Sequence, residues 1–308
     1  MKKILIIKHG SLGDIISSTS AMHDIRKHYI NDKLIILTTQ KYKSFFEESC
    51  FFHKILIDNR KSFFSTILIL KKILELNFDL IIDLQNSKRT SIYALLLSLL
   101  SKVKINGTGP YSTHRYQSLS NKLPSVINGL SNQIEILGVK TTRKPFLDWL
   151  NKDSFNFKNL TNQKFIIINP GCSNKNFQKK WPAKNYAKLC SYLISINILP
   201  IIIGSYLDKE AVKIIEDREK KILNLLNKSP LSVVFQLSKK AIGAISNDTG
   251  PAHLIAASGC KIHLLLSIFS NTKTVIPQGD NVSYTQQKMI ENILVDDVIK
   301  TIHKNFSI

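Results

Sequence analysis

The sequence predicts an α/β protein made of two Rossmann-like, doubly wound domains with parallel sheets, and three observations predict it. Short β-branched runs alternate with longer amphipathic segments along the whole chain, the succession of strand and crossover helix that puts helices on both faces of a parallel sheet. The pattern stops in Asn151 to Gln163, rich in Asn, Lys and Phe, and then restarts. At 308 residues the chain is also long enough for two cores of ordinary domain size. The boundaries expected are therefore residues 1–150 for the first domain, 151–163 for a linker and 164–308 for the second.

In the first half the strand candidates are Lys3 to Ile7, Leu34 to Leu37, Ile55 to Ile57, Leu80 to Ile82 and Val103 to Ile105. Helical periodicity falls between them near residues 14–29, 63–76 and 87–100. In the second half the strand runs are Phe165 to Ile168, Leu199 to Ile203, Ile222 to Leu226, Ala241 to Ile245 and Ile262 to Leu266. Helices are expected near 183–197, 207–220, 230–239 and 251–258, and Asp296-Asp297 open a last one. Open parallel sheets take ligands beyond the carboxyl ends of their strands, so chemistry is expected in the loops after Ile7, Ile82, Ile168, Ile203, Ile245 and Leu266.

Composition narrows the function classes. With 44% hydrophobic residues the chain is not disordered, and its longest apolar stretches, such as Ala94 to Leu100, are far too short to cross a bilayer. The apolar run before Lys8 is too short for a signal-peptide core, so a cytoplasmic protein is expected. Cys50, Cys172, Cys190 and Cys260 are widely spaced and form neither a zinc-ligand pattern nor a disulfide framework; they read as reduced and mostly buried thiols. The formal charge of +21 comes from 43 Lys and Arg, of which 37 are Lys, against 22 Asp and Glu. It divides evenly, +11 in residues 1–150 and +10 in 151–308, so it does not mark a nucleic-acid footprint. Such a field still attracts phosphorylated substrates and acidic lipid surfaces.

Four loops carry candidate chemistry. Lys8-His9-Gly10-Ser11-Leu12-Gly13-Asp14 follows the first strand, with two glycines to turn the chain and Asp14 at the start of the helix, either as an N-cap or as a reacting carboxylate. The glycines are three apart, which is not the dinucleotide fingerprint. Asn247-Asp248-Thr249-Gly250-Pro251-Ala252-His253 places a proline in the first turn of a helix whose free N–H groups and positive dipole end form an anion site; capping alone does not need so many polar residues. Asn169-Pro170-Gly171-Cys172-Ser173 leads to Lys179-Lys180-Trp181-Pro182, where an ammonium can reach a phosphate or simply be solvated. Asp83-Leu84-Gln85-Asn86-Ser87-Lys88-Arg89 opens a stretch, Leu84 to Lys144, with nine cations and one anion, Glu135.

On these motifs, across nearly its whole length, the chain resembles glycosyltransferase family 9, the ADP-heptose:lipopolysaccharide heptosyltransferases. Gly10 to Asp14, Asp83-Leu84-Gln85, Pro170-Gly171 through Lys179-x-Trp181-Pro182, and Asn247 to His253 match motifs of that family. The resemblance implies a GT-B fold, with two domains facing across a cleft, acceptor on the first and nucleotide sugar on the second. It implies inverting transfer of a heptose or related sugar to the lipopolysaccharide inner core, with Asp14 as general base and no metal or other cofactor. Lys179, Asp248, Thr249, Gly250 and His253 would hold the donor, with Ser173 and Ser205 beside its phosphates and base. Gly13, Lys88, Arg89 and Arg115 would face the anionic acceptor, and peripheral contact with the cytoplasmic face of the inner membrane follows. After its last strand the family reads Phe-Gly-Pro-Thr, whereas this chain reads Leu266-Ser267-Ile268-Phe269-Ser270-Asn271-Thr272, so the turn near the donor differs. A nucleotide-sugar epimerase of the same fold, or a non-catalytic nucleotide- or polyanion-binding protein, is the rival reading.

Overall fold

The computed structural model describes residues 1–308 apart from 61, 119–123, 153–154, 161, 173–176 and 307. The chain divides into two compact units, Met1–Trp149 and Leu150–Ile308.

The first unit runs β1 (Lys3–Ile7), α1 (Leu12–His28), β2 (Lys33–Thr38), α2 (Lys43–Ser49), β3 (Lys54–Ile57), α3 (Phe63–Leu76), β4 (Leu80–Asp83), α4 (Lys88–Leu100), β5 (Lys104–Gly107), β6 (His114–Arg115) and α5 (Val126–Glu135). Its six strands lie in the order β3-β2-β1-β4-β5-β6, each pair parallel. On one sheet face Leu5, Ile7, Leu37 and Ile81 pack against Ile69, Leu70 and Ile73 of α3 and Tyr93 and Leu97 of α4. On α1, Ser18, Thr19 and Ser20 are buried together with Ile15, Ile16, Met22 and Ile25. Ser18 Oγ and Thr19 Oγ1 donate to the carbonyls of Ile15 and Ile16, each at 2.7 Å, so these two hydroxyls stay hydrogen-bonded inside the protein.

The second unit runs β7 (Phe165–Asn169), α6 (Ala183–Ser195), β8 (Leu199–Gly204), α7 (Lys209–Arg218), β9 (Leu223–Leu226), α8 (Leu231–Lys240), β10 (Gly243–Asn247), α9 (Gly250–Ala257), β11 (Ile262–Ser267), α10 (Thr272–Val275), β12 (Val282–Gln287) and α11 (Val295–Phe306). The sheet order is β12-β11-β10-β7-β8-β9, again all parallel. Counted from its own first strand this is the order of the first unit, so both units carry the same dinucleotide-type topology. Trp181, Tyr186, Leu189 and Leu193 join Val298, Ile302 and Phe306 of α11 in one core. A Cβ on Gly243 would lie 2.4 Å from the Phe306 ring, so only glycine lets α11 sit on β10.

Five elements lie outside the sequence expectation: α2, α5, the short α10, the two-residue β6 and the polar edge strand β12. The thiols divide as expected, with Cys172, Cys190 and Cys260 buried and Cys50 exposed. Among the described residues no helix is long and apolar enough to cross a membrane.

Candidate functional site

Each sheet reverses its strand order once, between β1 and β4 in the first unit and between β7 and β10 in the second. Loops diverge at such a point and leave a crevice beyond the strand ends.

In the first unit the chain leaves β1 through Lys8 and His9, both buried, and turns at Gly10 with φ of +106°. Glycine is required there twice over, since a side chain resists that φ and a Cβ would come within 2.9 Å of Asp14 Oδ2. Ser11 is the N-cap of α1 and Asp14 is its third helical residue, so Asp14 is not the N-cap. The two form a capping box, in which Asp14 Oδ2 accepts from Ser11 N at 2.9 Å and Ser11 Oγ at 2.8 Å. Among the described residues Oδ1 carries no hydrogen bond.

Beneath Asp14 the Lys8 ammonium donates to the Leu84 carbonyl at 2.9 Å. Burial pushes its pKa below the usual lysine value, while Asp14 and Asp83 draw it back up. Burial also raises the Asp83 carboxyl above the usual range, against the opposing pull of its hydrogen bonds and of Lys8. Asp83 Oδ1 accepts from the backbone N–H groups of Gln85 and Asn86, each at 3.0 Å, which shapes the loop after β4. Asn86, with φ of 50°, spans to Gln133 of α5 at 2.7 Å and accepts from Thr108 N at 3.0 Å. Lys8, Asp14, Gln85, Asn86, Thr108 and Tyr116 line a cavity of about 650 Å³ at this end of the sheet.

The four proposed acceptor residues are placed differently. Gly13 is buried in α1, and Lys88 is exposed at the start of α4. Arg89 is held inside the unit, bonded to Tyr93 Oη at 2.6 Å, Thr66 Oγ1 at 2.9 Å and Asp58 Oδ1 at 3.3 Å. Arg115 donates from Nε to the Thr108 carbonyl at 3.2 Å. None of the four is among the described residues lining the cavity. Sequence reasoning did not find the network beside it. Asp58 Oδ2 accepts from Tyr93 Oη at 2.8 Å and stands 3.7 Å from His9 Nε2. Burial lowers the His9 pKa, opposed by Asp58. Asp58 follows a strand, but no neighbouring motif singles it out.

In the second unit Asn247 ties the two loops of the crevice together. Its Nδ2 donates to the Pro170 carbonyl at 2.9 Å, and its Oδ1 accepts from Trp181 N at 3.2 Å and Tyr186 Oη at 3.0 Å. Asp248 Oδ2 pairs with Lys179 Nζ at 2.7 Å and accepts from Ser270 Oγ at 3.2 Å. Thr249 is the N-cap of α9 by backbone only, because its Oγ1 accepts from Asn169 Nδ2 at 2.8 Å and caps no helical N–H. Gly250 and Pro251 follow as the first two helical residues, and His253 is half-buried on the same turn.

Ser205 lies at the end of β8 and is bound to Asp208, with N and Oγ reaching Oδ2 at 2.9 and 3.0 Å. That carboxylate occupies the space over Gly171, where a Cβ would lie 2.7 Å from it. Ser173 lies outside the described residues. The departing turn after β11 is built on Ser270, buried and bonded to Asp248, with Gln286 Nε2 donating to the carbonyls of Ser267 and Ser270, both at 3.0 Å. It is therefore an alternative hydrogen-bonded turn that supports the Asp248–Lys179 pair. Among the described residues no group of three His, Cys, Asp or Glu side chains converges as a metal site.

Solved structures share this double Rossmann architecture. A glycosyltransferase family 9 protein from Veillonella parvula superposes with a TM-score of 0.81 at 19% identity, covering 99% of this chain and 97% of that one. The Escherichia coli heptosyltransferase WaaC with ADP superposes at 0.75 with 16% identity, covering 98% and 99%. Among curated proteins, lipooligosaccharide heptosyltransferase 2 of Campylobacter jejuni is 28% identical over 283 residues, 88% of this chain and 82% of the relative. The fold is thus the one these glycosyltransferases share, built on two nucleotide-binding-type sheets. The model of glycosyltransferase family 9 (heptosyltransferase) matches residues 67–292, and the chain belongs to that family.

Proposed function

We propose that this enzyme transfers a heptose from ADP-heptose to the inner core of a lipopolysaccharide precursor, with inversion at the anomeric carbon. The acceptor binds on Met1–Trp149 and the donor on Leu150–Ile308. The observation that carries the reading is the position of Asp14, a carboxylate on the wall of the 650 Å³ cavity with one oxygen fixed by Ser11. Oδ1 takes the proton of the acceptor hydroxyl as that oxygen attacks the anomeric carbon and the nucleoside diphosphate leaves. Lys8, held against the Leu84 carbonyl, places its amino group on the same cavity wall as Asp14.

On the donor side the first-turn N–H groups of α9, together with Lys179 and His253, receive the diphosphate and the charge that grows on it. Lys179 then exchanges its Asp248 partner for phosphate, so transfer needs no metal. Arg115, beside the Thr108 and Gln117 that line the cavity, and the exposed Lys88 meet acidic groups of the acceptor. The protein works in the cytoplasm, at the inner face of the membrane that carries the acceptor, drawn there by its charge of +21.

The test is transfer from ADP-heptose to truncated lipopolysaccharide acceptors, followed by mass spectrometry. Asp14→Asn is expected to abolish transfer and keep ADP binding, and full activity in that variant sinks the base assignment. Turnover in excess EDTA should equal that with Mg²⁺. Conversion of the nucleotide sugar without acceptor would favour the epimerase reading instead.

A further inference from the structure

The outward faces of α3 and α4 are unlike the rest of the surface. Both helices pack on the same face of the first sheet, where their inner residues share one core. They lie side by side, with Arg89 of α4 bonded to Thr66 in the first turn of α3. Each follows a strand of a parallel sheet, so they run in the same direction. The outer stripe of α3 is Phe64, Ile67 and Leu68, followed by Lys71, Lys72 and Glu75, spaced three and four residues apart. That of α4 includes Ile92, Leu99 and Leu100. Phe64 is 77% exposed and Leu99 72%, values ordinary for lysine and costly for side chains of this size. Beyond its first turn α4 bears apolar side chains on its outer face as well as its inner one, broken outside only by Ser98, whereas a surface helix normally keeps its outer face polar.

The rim of this surface is basic. Lys71 and Lys72 lie on it, and the chain leaves α4 through Lys102 and Lys104. Lys102 and Lys104 also line a cavity of about 590 Å³ at the amino ends of the strands, with Lys2, His114 and Asp79. Asp79 is already taken by the backbone N–H of Lys3 at 2.7 Å. Glu75, the one carboxylate on the outer stripe of α3, faces Lys71 at 3.9 Å. Apolar side chains bordered by lysines match an anionic bilayer, which accepts the first between its acyl chains and the second among its headgroups. A second copy of this chain fits poorly, because an isologous contact would set this lysine rim against its own counterpart.

We propose that the α3–α4 layer, through Phe64, Ile67, Leu68, Ile92, Leu99 and Leu100, is the surface by which this enzyme docks on anionic phospholipid. It rests on the membrane contact proposed above and gives that contact a place. The docked face is the side of the sheet, so the carboxyl-end cavity with Asp14 opens along the membrane plane.

The experiment is co-sedimentation of the full-length protein with vesicles of phosphatidylcholine alone or enriched in phosphatidylglycerol. Wild type should partition onto the anionic vesicles. F64S/L68S/L99S should lower that partition about tenfold or more, and K71E/K72E/K102E should lower it on anionic vesicles only. Both variants should keep wild-type circular dichroism and wild-type transfer to a water-soluble acceptor, since none of these residues lies in the site. If wild type ignores anionic vesicles, the membrane contact itself fails. If wild type binds and both variants bind equally, the contact stands and this surface is wrong. A concentration-dependent dimer that the serine variant abolishes, without vesicle binding, would assign the surface to a second copy and overturn the proposal.

Discussion

The two units share one strand order and meet their reversal points with opposite chemistry. In the first, the helix after β1 is closed by its own residues, because Asp14 and Ser11 satisfy each other at its amino end. In the second, the helix after β10 is open: Thr249 turns its hydroxyl to Asn169 and leaves the first-turn N–H groups of α9 without a side-chain cap. A helix end already holding a carboxylate repels a second anion, whereas an uncapped end attracts one. The same topology thus yields a carboxylate-capped helix end at one reversal point and an end with no side-chain cap at the other. The difference lies in which side chain of each loop reaches back to the helix.

The largest expected effect separates the two acids. Asp14→Asn should cut transfer by roughly 10²- to 10⁴-fold with ADP affinity unchanged, the range of a lost general base. Asp248→Asn should alter donor KM more than kcat, because Asp248 positions Lys179. Equal kcat losses in both would erase the contrast between a catalytic and a binding reversal point.

Acid stability gives the next effect. Burial holds His263 of β11 neutral with its pKa at about 4, between Ser283 and Thr285 hydroxyls. Its folded pKa lies below the unfolded 6.5, so stability is full above pH 6.5 and is lost as pH falls toward 4, by roughly 3 kcal/mol. Burial lowers His9 of the first unit to about 4 as well, there against the pull of Asp58 at 3.7 Å. Urea titrations of His263→Gln between pH 7 and pH 4 should show a flatter acid limb than wild type, and an unchanged limb would assign the loss elsewhere.

A third test concerns the phosphate seat proposed at α9 and Lys179. Lys179→Met should weaken ADP binding by about tenfold to a hundredfold in calorimetry, the worth of a charge-assisted hydrogen bond. Unaltered affinity would mean that Lys179 stays with Asp248. Smallest is the pair of cap variants. Ser11→Ala should cost about 1 kcal/mol in denaturant unfolding, a lost N-cap, and Thr249→Ala less, since its hydroxyl caps no helical N–H and the Asn169 amide that loses it still donates to Ser246 Oγ. Equal costs would break the comparison at its origin.

The buried strands were legible because Ile4 to Ile7 and Ile166 to Ile168 are apolar on consecutive positions. Edge strands escaped for the converse reason. Val282–Gln287 pairs on one side only and is largely solvated, and His114–Arg115 is too short to carry a period. In α5 the buried Ile127, Leu130 and Ile134 are spaced as a helix requires, but Asn and Gly between them read as loop. At the site the motif loops were visible as clusters of Gly, Asp and Asn. The roles of Asn169 and Ser270 within those loops were not, because each bonds a partner distant in sequence, Thr249 and Asp248. Arg89 shows the limit of reading charge alone: its guanidinium is committed to Asp58 and Tyr93.

The distribution of thiols has a practical consequence. Burial pushes Cys190 and Cys260 up to about 12, which leaves them without thiolate at neutral pH, and Cys172 is enclosed too. Cys50 alone is exposed, on the residue that ends α2. A maleimide dye on the native chain would therefore label the first unit at one known point and leave the other unit dark. No residue need be changed to watch one half of this enzyme by fluorescence.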